Sequence, residues 1–278
     1  MARNYGIENS KGEIICFVDS DDTIEEGCFQ SIVDSFEEDV DLLQGKTAIN
    51  KENMEKDADE YITGDLKEKI INDNDVIKIL RCALLQGETK KDFGIRAEIW
   101  GKAFRREIVN DVRLHPDLVI GEDQVFLAEY LMKCRGVKLV NQIWYHYYVH
   151  SESAMRKLDY KKEEKYINYF YKLREILIKH FRNLESVTEI LAEKAYLTLS
   201  ELVYSYELEK ITDKEIAKNA FASYRKLKNN KVIKFYLKKI PLKSSRIGYK
   251  GVICSRLCMS VLGIKLFLVL IKLMIKNQ

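Results

Sequence analysis

Three carboxylates, Asp19, Asp21 and Asp22, follow directly on the apolar run Ile14-Ile15-Cys16-Phe17-Val18. So short and apolar a run reads as a buried strand of a parallel sheet, and open α/β sheets bind ligands just beyond the carboxyl ends of such strands. Clustered carboxylates repel one another, so partial desolvation calls for a cation or a set of donors. A hard divalent ion, Mn²⁺ or Mg²⁺, takes one or two carboxylates and completes its shell with water and phosphate oxygens. The same residues also fit a turn. Asp and Ser favour turns, and Thr23-Ile24-Glu25-Glu26 has the spacing of a capping box, which predicts a helix over residues 23–36.

A second acidic pair, Glu122-Asp123, precedes Val125, Phe126, Tyr130 and Leu131 at helical spacing. The pair therefore falls in the first turn of a helix, where acids offset the dipole and the free N–H groups. Taken alone it is a structural feature. Trp100 and Lys102 fit either a sugar-stacking contact or a partly buried core. Arg105 and Arg106 read as solvated charges, and His115, His146, His150 and His180 show no metal-ligand spacing. Cysteines 16, 28, 82, 134, 254 and 258 form no Cys-x-x-Cys pair and read as small buried hydrophobes in a reducing compartment.

The elements that must position these groups follow from pattern. Residues 41–49 and 137–148 are strand-like, the second rich in β-branched and aromatic side chains. Residues 75–85 read as a helix, and residues 51–74 as a polar, acidic loop. Helical periodicity then dominates over residues 160–181, 185–208 and 213–227. A length of 278 residues with 46% hydrophobic content supports two structural parts.

Two families share the first motif. Asp19-x-Asp21-x-Thr23-Ile24 after an apolar strand resembles the opening motif of haloacid-dehalogenase-like phosphohydrolases, with Asp19 as nucleophile and Asp21 as acid/base. The later Ser or Thr, Lys and acidic pair of that family have no clean counterpart. The longer block Ala2-Arg3-Asn4-Tyr5-Gly6 through Gly12-Glu13 into Phe17-Val18-Asp19-Ser20-Asp21-Asp22 resembles the centre of family 2 glycosyltransferases, inverting sugar-nucleotide enzymes of bacterial surface polysaccharide assembly. Trp100-Gly101-Lys102-Ala103-Phe104-Arg105, Glu122-Asp123-Gln124-Val125-Phe126, the aromatic stretch Trp144 to Tyr148 and Ser151 to Met155 resemble later blocks in the same order.

This resemblance implies a GT-A-like (Rossmann-like) α/β fold with a mixed sheet over residues 1–155 and an all-α extension over residues 156–278. It implies a nucleotide-sugar donor, a UDP-sugar, and a saccharide or lipid-linked saccharide acceptor. Arg3, Asn4, Asp19, Asp21 and Asp22 would lie on the donor's diphosphate and sugar side, and Asp21 with Asp19 would hold Mn²⁺ or Mg²⁺. Asp123 would be the general base with Glu122 beside it, and Trp100 and Lys102 would face the acceptor. Family members open with base-binding strands ahead of the Arg-Asn-x-Gly helix, whereas this chain starts at that helix. The expectation is an N-terminally truncated sheet whose unpaired edge invites self-association, or an inactive remnant.

Charge is segregated far more than the net +3 suggests. Residues 216–278 carry fifteen Lys plus Arg and no acid, leaving 31 basic against 43 acidic residues before them. Without a recognisable nucleic-acid reader, the block points to an anionic membrane surface. Residues 264–275 are mostly apolar, and Lys265, Lys272 and Lys276 share one helical face. At about 20 Å such a helix is too short to cross a core of about 30 Å. The polar N-terminus has no apolar signal-peptide core, so the expected location is cytoplasmic, peripheral on the inner face of the membrane.

Overall fold

The structure, a computed structural model, describes residues 2–51, 59–61, 69–70, 73–85, 95–149, 162–209 and 214–240. The chain divides into two compact units, residues 1–157 and 158–278. The first contains α1 (Ala2–Asn9), β1 (Ile14–Cys16), β2 (Thr23–Ile24), α2 (Cys28–Ser35), β3 (Leu42–Lys51), β4 (Asp59–Tyr61), β5 (Lys69–Ile70), α3 (Asp73–Leu85), β6 (Lys102–Arg105), α4 (Arg106–Val109), α5 (Glu122–Leu131) and β7 (Gly136–Val149). The second contains α6 (Lys162–His180), α7 (Leu184–Glu209), α8 (Lys214–Asn229) and α9 (Lys231–Leu237).

The seven strands form one mixed sheet in the order β1-β6-β3-β7-β2, with β4 added on β3 and β5 on β7. β3 and β7 run parallel from Leu42 opposite Val137 to Lys51 opposite Val149, and the register shifts around Lys46. The other strand pairs are antiparallel. At the irregularity a Cβ on Gly45 would lie 2.4 Å from the Trp144 ring. Only a glycine lets the indole pack against that backbone. Trp144 is buried there with Leu43, Ala103, Cys28 and Ile32.

Three expectations change. The run 14–18 is an edge strand rather than a buried parallel one: β1 pairs antiparallel with β6 through Ile14–Arg105 and Cys16–Ala103, and Val18 is 48% exposed. Apolar composition alone cannot separate a doubly covered strand from an edge strand packed on one face. The helix over residues 23–36 begins only at Cys28, because Thr23 and Ile24 pair with His146 and Tyr145 and the Glu25 N–H donates to the Trp144 carbonyl. Pairing with a long neighbouring strand outweighs a capping box. Within residues 51–74 two short strands, β4 and β5, are laid on β3 and β7.

One aromatic cluster sets the geometry of the site. Phe17, Phe104 and Phe126 meet edge to face, each pair of ring centroids 5.7 Å apart, and Tyr130 adds an edge contact to Phe104 at 4.9 Å. Such pairs contribute about 0.5–1.5 kcal/mol each beyond area burial. The Tyr130 hydroxyl donates to the Asp41 carbonyl and accepts from the Arg105 N–H, locking α5 to the sheet. Phe17 lies two residues before Asp19 and Phe126 three after Asp123, so this core fixes the distance between the two acidic motifs.

The second unit buries Tyr169, Phe170, Leu173 and Leu177 of α6 with Ile190, Leu191 and Ala195 of α7, Tyr224 and Leu227 of α8, and Ile233, Tyr236 and Leu237 of α9. Helices α6, α7 and α8 lie where the periodicity predicts them. α9 is an additional element, started by the Asn230 side chain, which accepts from the N–H groups of Val232 and Ile233.

Candidate functional site

The site is built where α1, the end of β1 and the start of α5 converge. Gly121, at φ 73°, turns the chain left-handed into α5 and leaves Glu122 and Asp123 in its first turn. From α1, the Arg3 guanidinium reaches across both acidic motifs. Nη2 donates to Asp19 Oδ1 at 2.7 Å, while Nη1 donates to Asp123 Oδ1 at 3.0 Å and Glu122 Oε1 at 3.4 Å. All four side chains keep some exposure, between 21% and 32%.

One guanidinium is thus shared by three carboxyl groups, and it does not satisfy them equally. Burial pushes the Asp123 carboxyl up to about 7; the charge of Arg3 opposes this, while those of Glu122 and Asp19 add to it. A carboxyl poised near neutrality suits proton transfer, because it can ionise and still bind a proton in a transition state.

Behind the motif stands an aromatic scaffold on β7. The Tyr145 hydroxyl accepts from the Asp19 N–H at 3.1 Å and donates to Asp22 Oδ2 at 2.7 Å, and the Tyr148 N–H donates to Asp22 Oδ1 at 2.9 Å. Burial, then the hydrogen bond to Asp22, raises the Tyr145 hydroxyl well above its ordinary value, so it stays protonated as a donor. Asp22 is 9% exposed with both oxygens bonded, a peg for the loop rather than a free ligand. Asp21 differs: it is exposed, with no hydrogen bond or ion pair among the described residues.

The remaining candidates are placed as follows. Asn4 bonds both ends of its amide to Leu114, donating to the carbonyl at 2.8 Å and accepting from the N–H at 3.0 Å. It tethers α1, and thereby Arg3, to the segment before α5. Trp100 is 9% exposed and stacked on Tyr145 at 4.8 Å and Tyr147 at 5.5 Å, with the Arg96 guanidinium 5.7 Å from its ring centroid. Lys102 is buried, its ammonium donating to the Glu98 carbonyl oxygen. Burial lowers its pKa to about 7, against the charge of Glu98. Neither side chain presents an open face to an acceptor in this arrangement.

Arg105 and Arg106 are not free solvated charges. Arg105 donates to the Val40 and Glu37 carbonyls, and Arg106 to the Ser10 hydroxyl and the Gly12 carbonyl. His115 and His146 sit against Glu129 and Glu25. Cys16, Cys28 and Cys134 are free thiols, and burial raises Cys16 to about 12. Cys82, Cys254, Cys258, His150, Ser151 to Met155 and the run 264–276 lie outside the residues whose side chains are described.

Among the described residues no three His, Cys, Asp or Glu side chains converge as a preformed metal cage. The donor chemistry nevertheless fits a hard cation that arrives with its phosphate ligands, since such an ion needs only one or two carboxylates from the protein. Asp21 is open for that role, and Asp19 has one oxygen engaged by Arg3. Sequence reasoning gave Tyr145 no role. Its place in the aromatic run was visible, but only strand register shows that its hydroxyl points at the carboxylate turn.

Comparison with known proteins agrees with this architecture. Residues 1–95 match the family described as Glycosyl transferase family 2. EpsH of Bacillus subtilis (strain 168), provisionally named a glycosyltransferase, is 29% identical over 163 residues, 57% of this chain and 44% of EpsH. The minor teichoic acid biosynthesis protein GgaB of the same organism is 21% identical over 80% of this chain and 23% of GgaB. The uncharacterized glycosyltransferase YibD of Escherichia coli (strain K12) is 24% identical over 66% of this chain and 52% of YibD. The chain spans about half or less of the length of these relatives. Residues 1–349 of S. aureus TarS in complex with UDP-GlcNAc superpose with a TM-score of 0.59 at 15% identity, over 99% of this chain and 71% of that one. With the mixed sheet, the helical C-terminal part and the family match in agreement, the chain carries a GT-A-like fold and is similar to family 2 of the glycosyltransferases, whose model matches its residues 1–95.

Proposed function

We propose that this chain transfers a sugar from a UDP-sugar to a hydroxyl of a saccharide or lipid-linked saccharide, with inversion, in the synthesis of a bacterial cell-surface polysaccharide. The observation that carries this reading is the Arg3 bridge joining Asp19 at the end of β1 to Glu122-Asp123 at the start of α5. It sets a proton acceptor beside a carboxylate turn suited to a diphosphate. In a single displacement the acceptor hydroxyl attacks the anomeric carbon, Asp123 takes the hydroxyl proton, and the bond to the diphosphate breaks as the new glycosidic bond forms. A bound Mn²⁺ or Mg²⁺ supplies charge to stabilise the departing diphosphate. Asp21, with Asp19, would hold it. Glu122 shares Arg3 with Asp123 and so tunes the base.

TarS was crystallised with UDP-GlcNAc, which makes that nucleotide sugar the first donor to try. The name of GgaB favours a teichoic-acid-like or related wall polymer as the product class. No helix among the described residues is long and apolar enough to cross a membrane. A peripheral seat on the inner face of the cell membrane, through the basic C-terminal run, fits a lipid-linked acceptor. β1 leaves one edge without a partner strand among the described residues, and beside it Val18, Phe29 and Val33 are exposed along a groove of about 560 Å³, a surface suited to self-association.

The test is UDP release from a panel of UDP-sugars by the purified chain with and without Mn²⁺, alongside the same assay on Asp123→Asn. Metal-dependent release that falls by about a hundredfold or more in the variant is the expected result. A phosphatase activity dependent on Asp19, or no binding of any nucleotide sugar, overturns the proposal. The family match leaves the phosphohydrolase alternative without support.

A further inference from the structure

The outward face of α9 is a stripe of cations around one exposed ring. Lys231, Lys234, Phe235 and Lys238 follow one another at positions i, i+3, i+4 and i+7, so they share a face, and all four are exposed, Phe235 to 52%. The opposite face is buried: Ile233, Tyr236 and Leu237 pack inward, with Tyr236 edge-on to Phe170 and its hydroxyl accepting from Arg174 Nε at 3.1 Å. The stripe is therefore held rigidly outward by a packed core. Lys239 lies 5.6 Å from the Phe235 ring centroid and extends the patch. Residues 225–239 carry seven Lys or Arg and no acid. Lys231, Lys234 and Lys238 make no ion pair among the described residues.

We propose that the Lys231–Lys234–Phe235–Lys238 face of α9 is a docking surface for an anionic lipid bilayer, with the lysines over the headgroups and the Phe235 ring entering the interface. The charge pattern is complementary to acidic lipid, and a polar ring of Lys about an exposed aromatic is how interfacial helices anchor. Burying the Phe235 ring in the interface adds apolar area that a purely electrostatic contact lacks. Single-stranded nucleic acid is less well served, because such platforms stack bases on several aromatic rings, and this face carries one. The inference rests on the peripheral-membrane reading above but assigns it to a different, folded element.

The experiment is co-sedimentation of the full chain with vesicles of phosphatidylcholine alone and of phosphatidylcholine mixed with phosphatidylserine. Two variant sets separate the two surfaces: Lys231→Glu/Lys234→Glu/Lys238→Glu on α9, and Lys265→Glu/Lys272→Glu/Lys276→Glu near the C-terminus. Phe235→Ala alone is the conservative companion, and all variants are first matched to the parent by thermal melting. Binding that requires phosphatidylserine, drops at least about tenfold in the α9 set and several-fold in Phe235→Ala is the expected outcome. If the α9 set and Phe235→Ala bind as the parent does while the C-terminal set does not, the α9 assignment is overturned and the peripheral reading stands. If the parent binds neither vesicle, or binds a single-stranded RNA oligomer more tightly than acidic vesicles, both fall.

Discussion

Arg3 Nη1 donates to Asp123 Oδ1 at 3.0 Å while the other branch of the same guanidinium holds Asp19 at 2.7 Å, so the proposed base and the proposed diphosphate turn share one cation. Burial raises Asp123 to about 7, and Arg3 is the one group among the named causes whose side chain charge opposes that rise. A base must be ionised, so activity should increase with pH through that value. Replacing Arg3 with Gln removes the opposing charge and moves the acid limb of the kcat/KM profile to higher pH. Arg3→Lys, which keeps the charge without the fork, should move it less. The measurement is UDP release across pH 5 to 9; an unmoved limb in Arg3→Gln would show that Asp123 is not the titrating base.

The same carboxyl carries a stability signature. Its folded pKa lies above the ordinary carboxylate value, so the folded state binds its proton more tightly than the unfolded chain does. Its ionisation therefore opposes folding. That penalty is absent below about pH 4, grows as pH rises toward about 7, and is constant above. Asp123→Asn is expected to melt at or above the parent temperature at pH 8, with the difference shrinking toward pH 4, although its transfer activity is lost. Site residues placed for chemistry at a cost to stability behave this way. Thermal melts of both proteins over that pH range check it.

Some of this was legible from residue order. The long strands β3 and β7 follow from strand-like composition, β7 from its β-branched and aromatic side chains, and helix α5 with its two acids in the first turn and helices α6 to α8 follow from helical spacing of apolar residues. The edge position of β1 was not legible, since Ile14-Ile15-Cys16 reads the same whether one or both edges are paired. Asp22 and Asn4 look like ligand groups in sequence because they are polar and lie in motifs. Their partners, Tyr145 and Tyr148 for the one and Leu114 for the other, stand more than 100 positions away, and only the folded register brings them in. α9 was missed because a seven-residue helix begun by Asn230 gives too few turns for a periodic signal.

The close packing of β7 on β3 gives a prediction independent of function. A Cβ at Gly45 would sit 2.4 Å from Cγ and Cδ2 of Trp144, which is buried and donates its indole N–H to the Ser31 hydroxyl at 3.0 Å. The ring cannot swing aside without breaking that bond. Gly45→Ala should cost about 1–3 kcal/mol in urea-denaturation experiments, as overpacked cores do. Gly6→Ala, where an added Cβ meets nothing within 4 Å, should change stability far less.

Adjacent carboxylates in the turn should behave oppositely. Asp21 is exposed and makes no bond to the protein among the described residues, so Asp21→Ala should leave the melting temperature close to that of the parent. If it holds the metal with the donor's phosphates, the same change should abolish the Mn²⁺-dependent part of UDP-sugar affinity. Asp22 accepts from the Tyr145 hydroxyl and the Tyr148 N–H in a buried setting. Asp22→Ala leaves both donors without that acceptor, at a cost of about 1–3 kcal/mol, and frees the loop that aims Asp19. Titration calorimetry with and without Mn²⁺, paired with melts of both variants, separates the two roles. Equal loss of stability in both would place Asp21 in the scaffold and remove it from the metal site.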